Sequence, residues 1–255
     1  IVYPMGGEKG ADSGPPGGQK AKRPGFYPGF NHDGGFAEYM LTEESMLLRL
    51  PSHLSPMDTA PLADAGLTSY NVVRRASKHQ SPGQYTLVVG AGGLGHLAIQ
   101  LLGVLSPAEI IAVDKSETAL DLARSVGAHY TFMAEDSYTT KIMALTGGKG
   151  VETVIDFVGT DLAVKKGMAV TRRGGHYYLV GYGGRLDIPT IEIIRSEKTI
   201  AGILGGSFSD FTELLTMVDR GLVKLSIQEY SLHNANKALL DLRDGRNKGR
   251  SVLIP

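Results

Sequence analysis

The chain has 255 residues, with 26 Lys and Arg balanced by 26 Asp and Glu, so its net charge is zero and no field draws it to nucleic acid or an anionic membrane. Hydrophobic residues make up 42% and charged residues 20%, as in an ordinary soluble globular protein of one or two domains. Cysteine is absent, which excludes disulfides and thiolate metal sites.

No apolar run is long enough to cross a bilayer and nothing at the start reads as a signal peptide, so the expected location is the cytoplasm. The first 35 residues are crowded with glycine and proline and read as a long loop or lobe, with only Ile1-Val2-Tyr3 strand-like. Phe36 to Leu41 alternates and predicts a strand; Met46 to Leu50 predicts another, ended by Pro51. Ser55-Pro56-Met57-Asp58 is a helix start, with Ser as N-cap and Pro in the first turn. Leu67 to Ala76 continues as a helix ending near Ser77.

From residue 85 strands and helices alternate. Tyr85 to Val89 is a short apolar run of the kind buried in a parallel sheet, and Gly93 to Leu105 follows as a helix. Strands are predicted at 110–113, 130–132, 151–157, 177–180 and 199–204, and helices at 116–126, 139–145 and 162–170. This rhythm argues for an α/β fold with a parallel sheet. Further on, Ser209-Asp210 reads as the cap of a helix to about Arg220, His233 to Leu242 as another helix, and Ser251 to Ile254 as a strand.

The sharpest motif is Gly90-Ala91-Gly92-Gly93-Leu94-Gly95, which fits G-x-G-x-x-G between a buried strand and an amphipathic helix. Gly90 permits the tight turn, Gly92 lets backbone approach a pyrophosphate, and Gly95 lets the helix lie close to the sheet. The helix N-terminus offers free N–H groups and partial positive charge to phosphate. Asp114 lies 19 residues after Gly95, where a carboxylate can accept both ribose hydroxyls of NAD and would repel the 2′-phosphate of NADP. Lys115 beside it softens that preference. The plainer reading of Asp114 is a strand-ending acid that caps the next helix.

These residues resemble the medium-chain dehydrogenase/reductase family of the zinc-dependent alcohol dehydrogenase type. Four stretches carry the resemblance: Gly34 to Tyr39, Ala60 to Tyr70, Val89 to His96, and Gly249 to Pro255. It implies a doubly wound Rossmann sheet at 67–204, inserted in a partial, mainly β, GroES-like catalytic domain formed by 1–66 and 205–255. It also implies cofactor contacts. Thr68 and Leu94 would lie near the nicotinamide, Val158 beside the adenosine, and the backbone of Val180, Gly181, Gly202 and Leu204 around the carboxamide. Gly90, Gly92, Gly93 and Gly95 belong to the phosphate loop, and Arg250 would reach the pyrophosphate, where a charge-assisted bond is strong. Arg250 could equally be a solvated arginine in a basic tail.

The implied reaction is hydride exchange between a small alcohol or carbonyl substrate and NAD, with zinc assistance. Asp64 stands where relatives carry a zinc ligand and, with Thr68, is the candidate for the catalytic site; it could instead cap a helix. A catalytic zinc needs three protein ligands, and the family's cysteine and Gly-His-Glu are missing from the sequence, which is therefore expected to lack an upstream segment. No structural zinc is expected in the lobe at 5–24. The seven histidines show no paired ligand spacing, and His96 is placed near the cofactor rather than on a metal. A zinc-free quinone or enoyl reductase and a non-catalytic dinucleotide-binding protein are the alternatives. The resemblance also implies a homo-oligomer, dimer or tetramer, because the family's strand matching 199–204 often pairs across a two-fold axis, and its apolar run would otherwise be an exposed edge.

Overall fold

A computed structural model describes residues 28, 29 and 31–255. The glycine-rich lobe and the strand expected at Ile1 to Tyr3 lie outside the described residues. Within them, nothing is long and apolar enough to cross a membrane as a helix.

The sheet has six parallel strands in the order β3-β2-β1-β4-β5-β6. They are β1 (Tyr85–Val89), β2 (Glu109–Asp114), β3 (Tyr130–Met133), β4 (Val151–Asp156), β5 (Thr171–Leu179) and β6 (Thr199–Gly202). The chain runs outward from β1 to β3, then crosses back to β4 and outward again. That reversal leaves a crevice at the carboxyl ends of β1 and β4, where α/β sheets bind ligands.

The central strands β1, β2 and β4 are buried on both faces because both are covered. Val88, Ile110, Ala112, Ile155 and Tyr178 pack into one core cluster. On it lie α2 (Ala65–Ala76), α3 (Gly95–Leu105) and α8 (Phe208–Asp219). Leu87, Val89, Ile111, Val113, Val154 and Tyr177 point the other way. They pack with residues of α5 (Tyr138–Leu145) and the end of α6 (Asp161–Val170). The one-residue alternation between clusters is the period-2 signature of a strand. Helix α4 (Glu117–Ser125) closes the connection from β2 to β3, its N-cap Ser116 accepting from Ala119 N.

Several local expectations hold. Ser55 caps α1 (Pro56–Thr59) by accepting from Met57 N. Helix α2 ends with Ser77 as its C-cap. Others are corrected. Phe36 to Leu41 forms bends and coil, not a strand, and Tyr39 and Leu41 are each 89% exposed. Its alternation has no partner strand beside it among the described residues. Met46 to Leu50 is a 3-10 turn (Glu44–Met46) followed by a single bridge residue, Leu48. The cap of α8 is Ser207, not Ser209. Ser207 Oγ accepts from Asp210 N, and Asp210 accepts from Ser207 N, closing a capping box.

Three elements went unread in the sequence: the length of β5 before Tyr177, helix α7 (Thr190–Ser196), and strand β7 (Ile227–Ser231). After α9 (Ala235–Arg243), β8 (Arg250–Ile254) pairs in parallel with β7 as a separate two-stranded sheet. This pairing brings the C-terminal segment back to the crevice.

Candidate cofactor-binding site

The turn from β1 to α3 is built by glycine where backbone crowding demands it. Gly90 has φ +89°, a region that L side chains avoid. A Cβ on Gly95 would sit 1.9 Å from Gly90 O, so nothing larger than glycine lets α3 start here. Gly92 faces open space, with no atom within 4 Å of an ideal Cβ. The backbone N–H groups of Gly92, Gly93 and Leu94 donate to no acceptor among the described residues. They lie just before an eleven-residue helix, where the dipole favours an anion.

Asp114 ends β2 and reaches back to this loop. Its Oδ2 accepts from Ala91 N at 2.8 Å, and its Oδ1 accepts from Ser116 N at 2.9 Å. The plain capping reading and the ribose reading are thus compatible. A carboxylate offers about four lone-pair positions, and the two amide bonds leave the rest for hydroxyls.

Beside Asp114 opens a cavity of about 330 Å³ lined by Val113, Lys115, Tyr138, Val158, Leu162 and Lys166 among others. Burial pushes the Tyr138 phenol up to about 12, so this hydroxyl stays neutral. Lys166 Nζ is committed to Asp136 at 2.7 Å and to Glu135 O at 3.2 Å. Lys115 makes no ion pair among the described residues. A larger cavity, about 1140 Å³ between α6 and the 185–198 segment, contains none of the predicted site residues.

Val158 is set by a buried carboxylate that sequence reasoning missed. Asp156 is fully buried at the end of β4. Its Oδ1 accepts from Val158 N and Gly159 N, and its Oδ2 accepts from Tyr177 Oη at 2.7 Å. An acid directly after the apolar pair Val154-Ile155 at the end of the strand was the available signal. Asp156→Asn keeps the oxygen that holds the turn and exchanges a charged bond to Tyr177 for a neutral one. We expect a loss of about 1–2 kcal/mol, read as a lower urea midpoint at unchanged m-value.

Across the crevice, Thr68 and Ser69 lie on α2. Ser69 Oγ donates to Leu94 O at 3.0 Å, and Asn71 Nδ2 donates to Gly205 O at 2.8 Å. These two bonds tie Thr68, Leu94 and the segment after β6 into one wall. The amides of Val180 and Gly181 both donate to Asp156 O at 2.9 Å, so only their carbonyls are left to meet a ligand. Leu204 is 93% exposed and Gly202 is also exposed, so both present themselves outward from the sheet edge.

Arg250 opens β8 and lies on the loop. A Cβ on Gly93 would meet its Cδ at 2.8 Å and its Nη1 at 3.1 Å. Its Nη2 is 4.0 Å from Asp64 Oδ2. The basic tail divides accordingly: Arg246 pairs with Asp241 and Asp244, while Arg250 turns to the glycine loop.

Asp64 precedes α2 but its side chain makes no capping bond. Among the described residues no group of three His, Cys, Asp or Glu is placed to hold a metal. Asp64 is a single carboxylate facing a guanidinium, and these residues do not fit a zinc ion by themselves. The loop fits a dinucleotide: free amides, an open Gly92, a cation at Gly93 and a carboxylate beside an apolar cleft.

Comparison with known proteins gives the family. Residues 93–220 match the family model for zinc-binding dehydrogenases. The chain belongs to this family. It is 36% identical over 231 residues to an NAD-dependent alcohol dehydrogenase of Sulfurisphaera tokodaii, covering 89% of this chain and 66% of that protein. It is 34% identical over 234 residues to a D-arabinose 1-dehydrogenase (NADP(+)) of Saccharolobus solfataricus, covering 89% and 66%. The fold superposes on the crystal structure of the alcohol dehydrogenase from Aeropyrum pernix with a TM-score of 0.88 at 41% identity, covering 90% of this chain and 68% of that one. The chain thus spans about 66% of the length of these curated relatives.

Proposed function

We propose that this chain holds NAD for an alcohol dehydrogenase: a hydride passes between a small alcohol or carbonyl substrate and the nicotinamide. The observation that carries the reading is the pairing of three unengaged loop amides with Asp114 bound back onto Ala91. When bound, NAD supplies the hydride acceptor. The chain's residues orient it. Gly92, Gly93 and Leu94 would donate to the pyrophosphate, with Arg250 over it. Asp114 would accept the ribose hydroxyls, with Lys115 and Val158 flanking the adenosine. Thr68 and Leu94 would bound the nicotinamide, with the carbonyls of Val180 and Gly181 toward its carboxamide. Gly90 and Gly95 shape the turn, and Gly202 and Leu204 form the outer rim.

In this reading 67–204 is the cofactor domain, and 1–66 with 205–255 belong to the catalytic domain. Asp64 is a zinc ligand only in company the described residues do not provide. The cytoplasm and a homo-oligomer built on the β6 edge belong to the same proposal. Titration with NADH, followed by its fluorescence, tests it. Saturable binding that NAD and ADP-ribose displace is expected; no binding sinks the reading. Turnover of secondary alcohols by this chain with added zinc would show that the ligand set is fuller than Asp64.

A further inference from the structure

His96 is fully buried in the first turn of α3, beside the glycine loop, and nothing above uses it. Its Nδ1 lies 2.9 Å from Gly92 O. A carbonyl can only accept, so this nitrogen carries the proton and Nε2 bears the lone pair. Nε2 is buried and has no hydrogen-bond partner. Burial, together with the nearby positive charge of Arg250, pushes the imidazole's pKa down, although its bond to Gly92 opposes this. The ring is held neutral in one tautomer.

The Gly92 carbonyl also accepts from His96 N, at 3.1 Å. Two donors from one residue therefore fix one peptide plane. No peptide bond here is cis, and in a trans peptide the N–H points opposite to the C=O. With Gly92 C=O held by His96 of α3, Gly93 N–H points the opposite way, at the residue that Arg250 packs against. Glycine on both sides of this plane leaves it little intrinsic preference of its own.

We propose that His96 is a positioning residue for the cofactor pyrophosphate: its Nδ1–H clamps the Gly92 carbonyl so that the Gly93 amide is preset to donate to phosphate. This rests on the dinucleotide reading above. The clamp removes a rotation that the loop would otherwise lose on binding, so its benefit appears in ligands that carry the pyrophosphate.

Three variants test it on the full chain. Asn places its Nδ2–H where His has Nδ1–H, Gln reaches past it, and Leu has no donor. His96→Leu is expected to weaken ADP-ribose and NAD about tenfold while leaving adenosine unchanged. His96→Asn is expected to recover affinity to within about threefold of the original, and His96→Gln is not. Equal losses in Asn and Gln, or parallel losses of adenosine and ADP-ribose, would overturn the clamp in favour of simple core packing. Should His96→Leu fail to fold, the Asn and Gln pair decides alone. Long-range nitrogen–proton NMR of the ligand-free chain supplies a readout free of the cofactor. The Nδ1–H tautomer is expected, and the Nε2–H tautomer refutes the clamp even if NAD binds. A chain with the expected tautomer that binds neither NAD nor ADP-ribose refutes the cofactor reading, and with it the role toward pyrophosphate.

Discussion

Gly95→Ala is expected to destabilise the chain by about 3–5 kcal/mol, among the largest effects of any single methyl group here. The added Cβ would lie 1.9 Å from the Gly90 carbonyl oxygen and 2.9 Å from its carbon, and both are backbone atoms at a turn of fixed φ. No rotamer change relieves that contact; β1 and α3 must move apart. Their cores would then open together, because Val88 and Leu97 share one cluster. The measurement is a urea midpoint, with loss of NADH binding in parallel. Gly92→Ala is the control that separates fold from function. There the same methyl meets nothing within 4 Å and the backbone is not left-handed. Its stability should stay within about 0.5 kcal/mol of the original. The methyl would fill open space beside the free loop amides, so in the dinucleotide reading NADH affinity should fall at least about tenfold. An unaltered midpoint in Gly95→Ala would refute the loop geometry. Unaltered affinity in Gly92→Ala would place the pyrophosphate elsewhere.

The sheet was legible in the sequence where its strands are buried on both faces, as β1, β2 and β4 are. Tyr85 to Val89 reads identically in sequence and structure. Legibility fails where a pattern depends on a neighbour. Phe36 to Leu41 reads as a strand, yet a strand-like run without a partner to receive its N–H groups makes no ladder. Strand β7 was missed for the converse reason: Ile227 to Ser231 is short and half polar, and only pairing with β8 makes it a strand. The error at the α8 cap came from two serines two residues apart. Both can cap, and the choice falls to Ser207, whose box with Asp210 sets that carboxylate at 2.8 Å from Arg74 of α2. At the site, spacing sufficed to place the glycine loop and Asp114 in one strand–turn–helix–strand unit. It could not show that Asp114 binds Ala91, that Asp156 sets Val158, or that Arg250 comes to rest on Gly93. Those contacts cross between segments far apart in the chain, and the last depends on the β7–β8 pairing.

Asp114 carries the second large expectation: NADH should bind about a hundredfold tighter than NADPH. Two amide donors fix the carboxylate, so it cannot swing aside to admit a phosphate. A 2′-phosphate carries about −1.5 to −2 charges, and two like charges about 4 Å apart repel by about 4 kcal/mol at an effective dielectric near 20. Lys115 offsets part of this because no carboxylate among the described residues holds it. Lys166 cannot do so, since Asp136 and Glu135 O already take its ammonium. Asp114→Ser shortens the side chain and removes the charge. NADH affinity should fall about tenfold with the loss of charged bonds to the ribose, and NADPH should rise until the two are within about tenfold of each other. The change also frees Ala91 N and Ser116 N, so a drop in stability of about 1–2 kcal/mol should accompany it. The family accommodates both outcomes, since one relative is an NAD-dependent alcohol dehydrogenase and another a D-arabinose 1-dehydrogenase (NADP(+)). Selectivity therefore has to be set locally, and the ratio of the two dissociation constants in the original chain and in Asp114→Ser measures it. Equal binding of NADH and NADPH by the original chain would mean that Asp114 serves the loop alone, and that the ribose is held elsewhere.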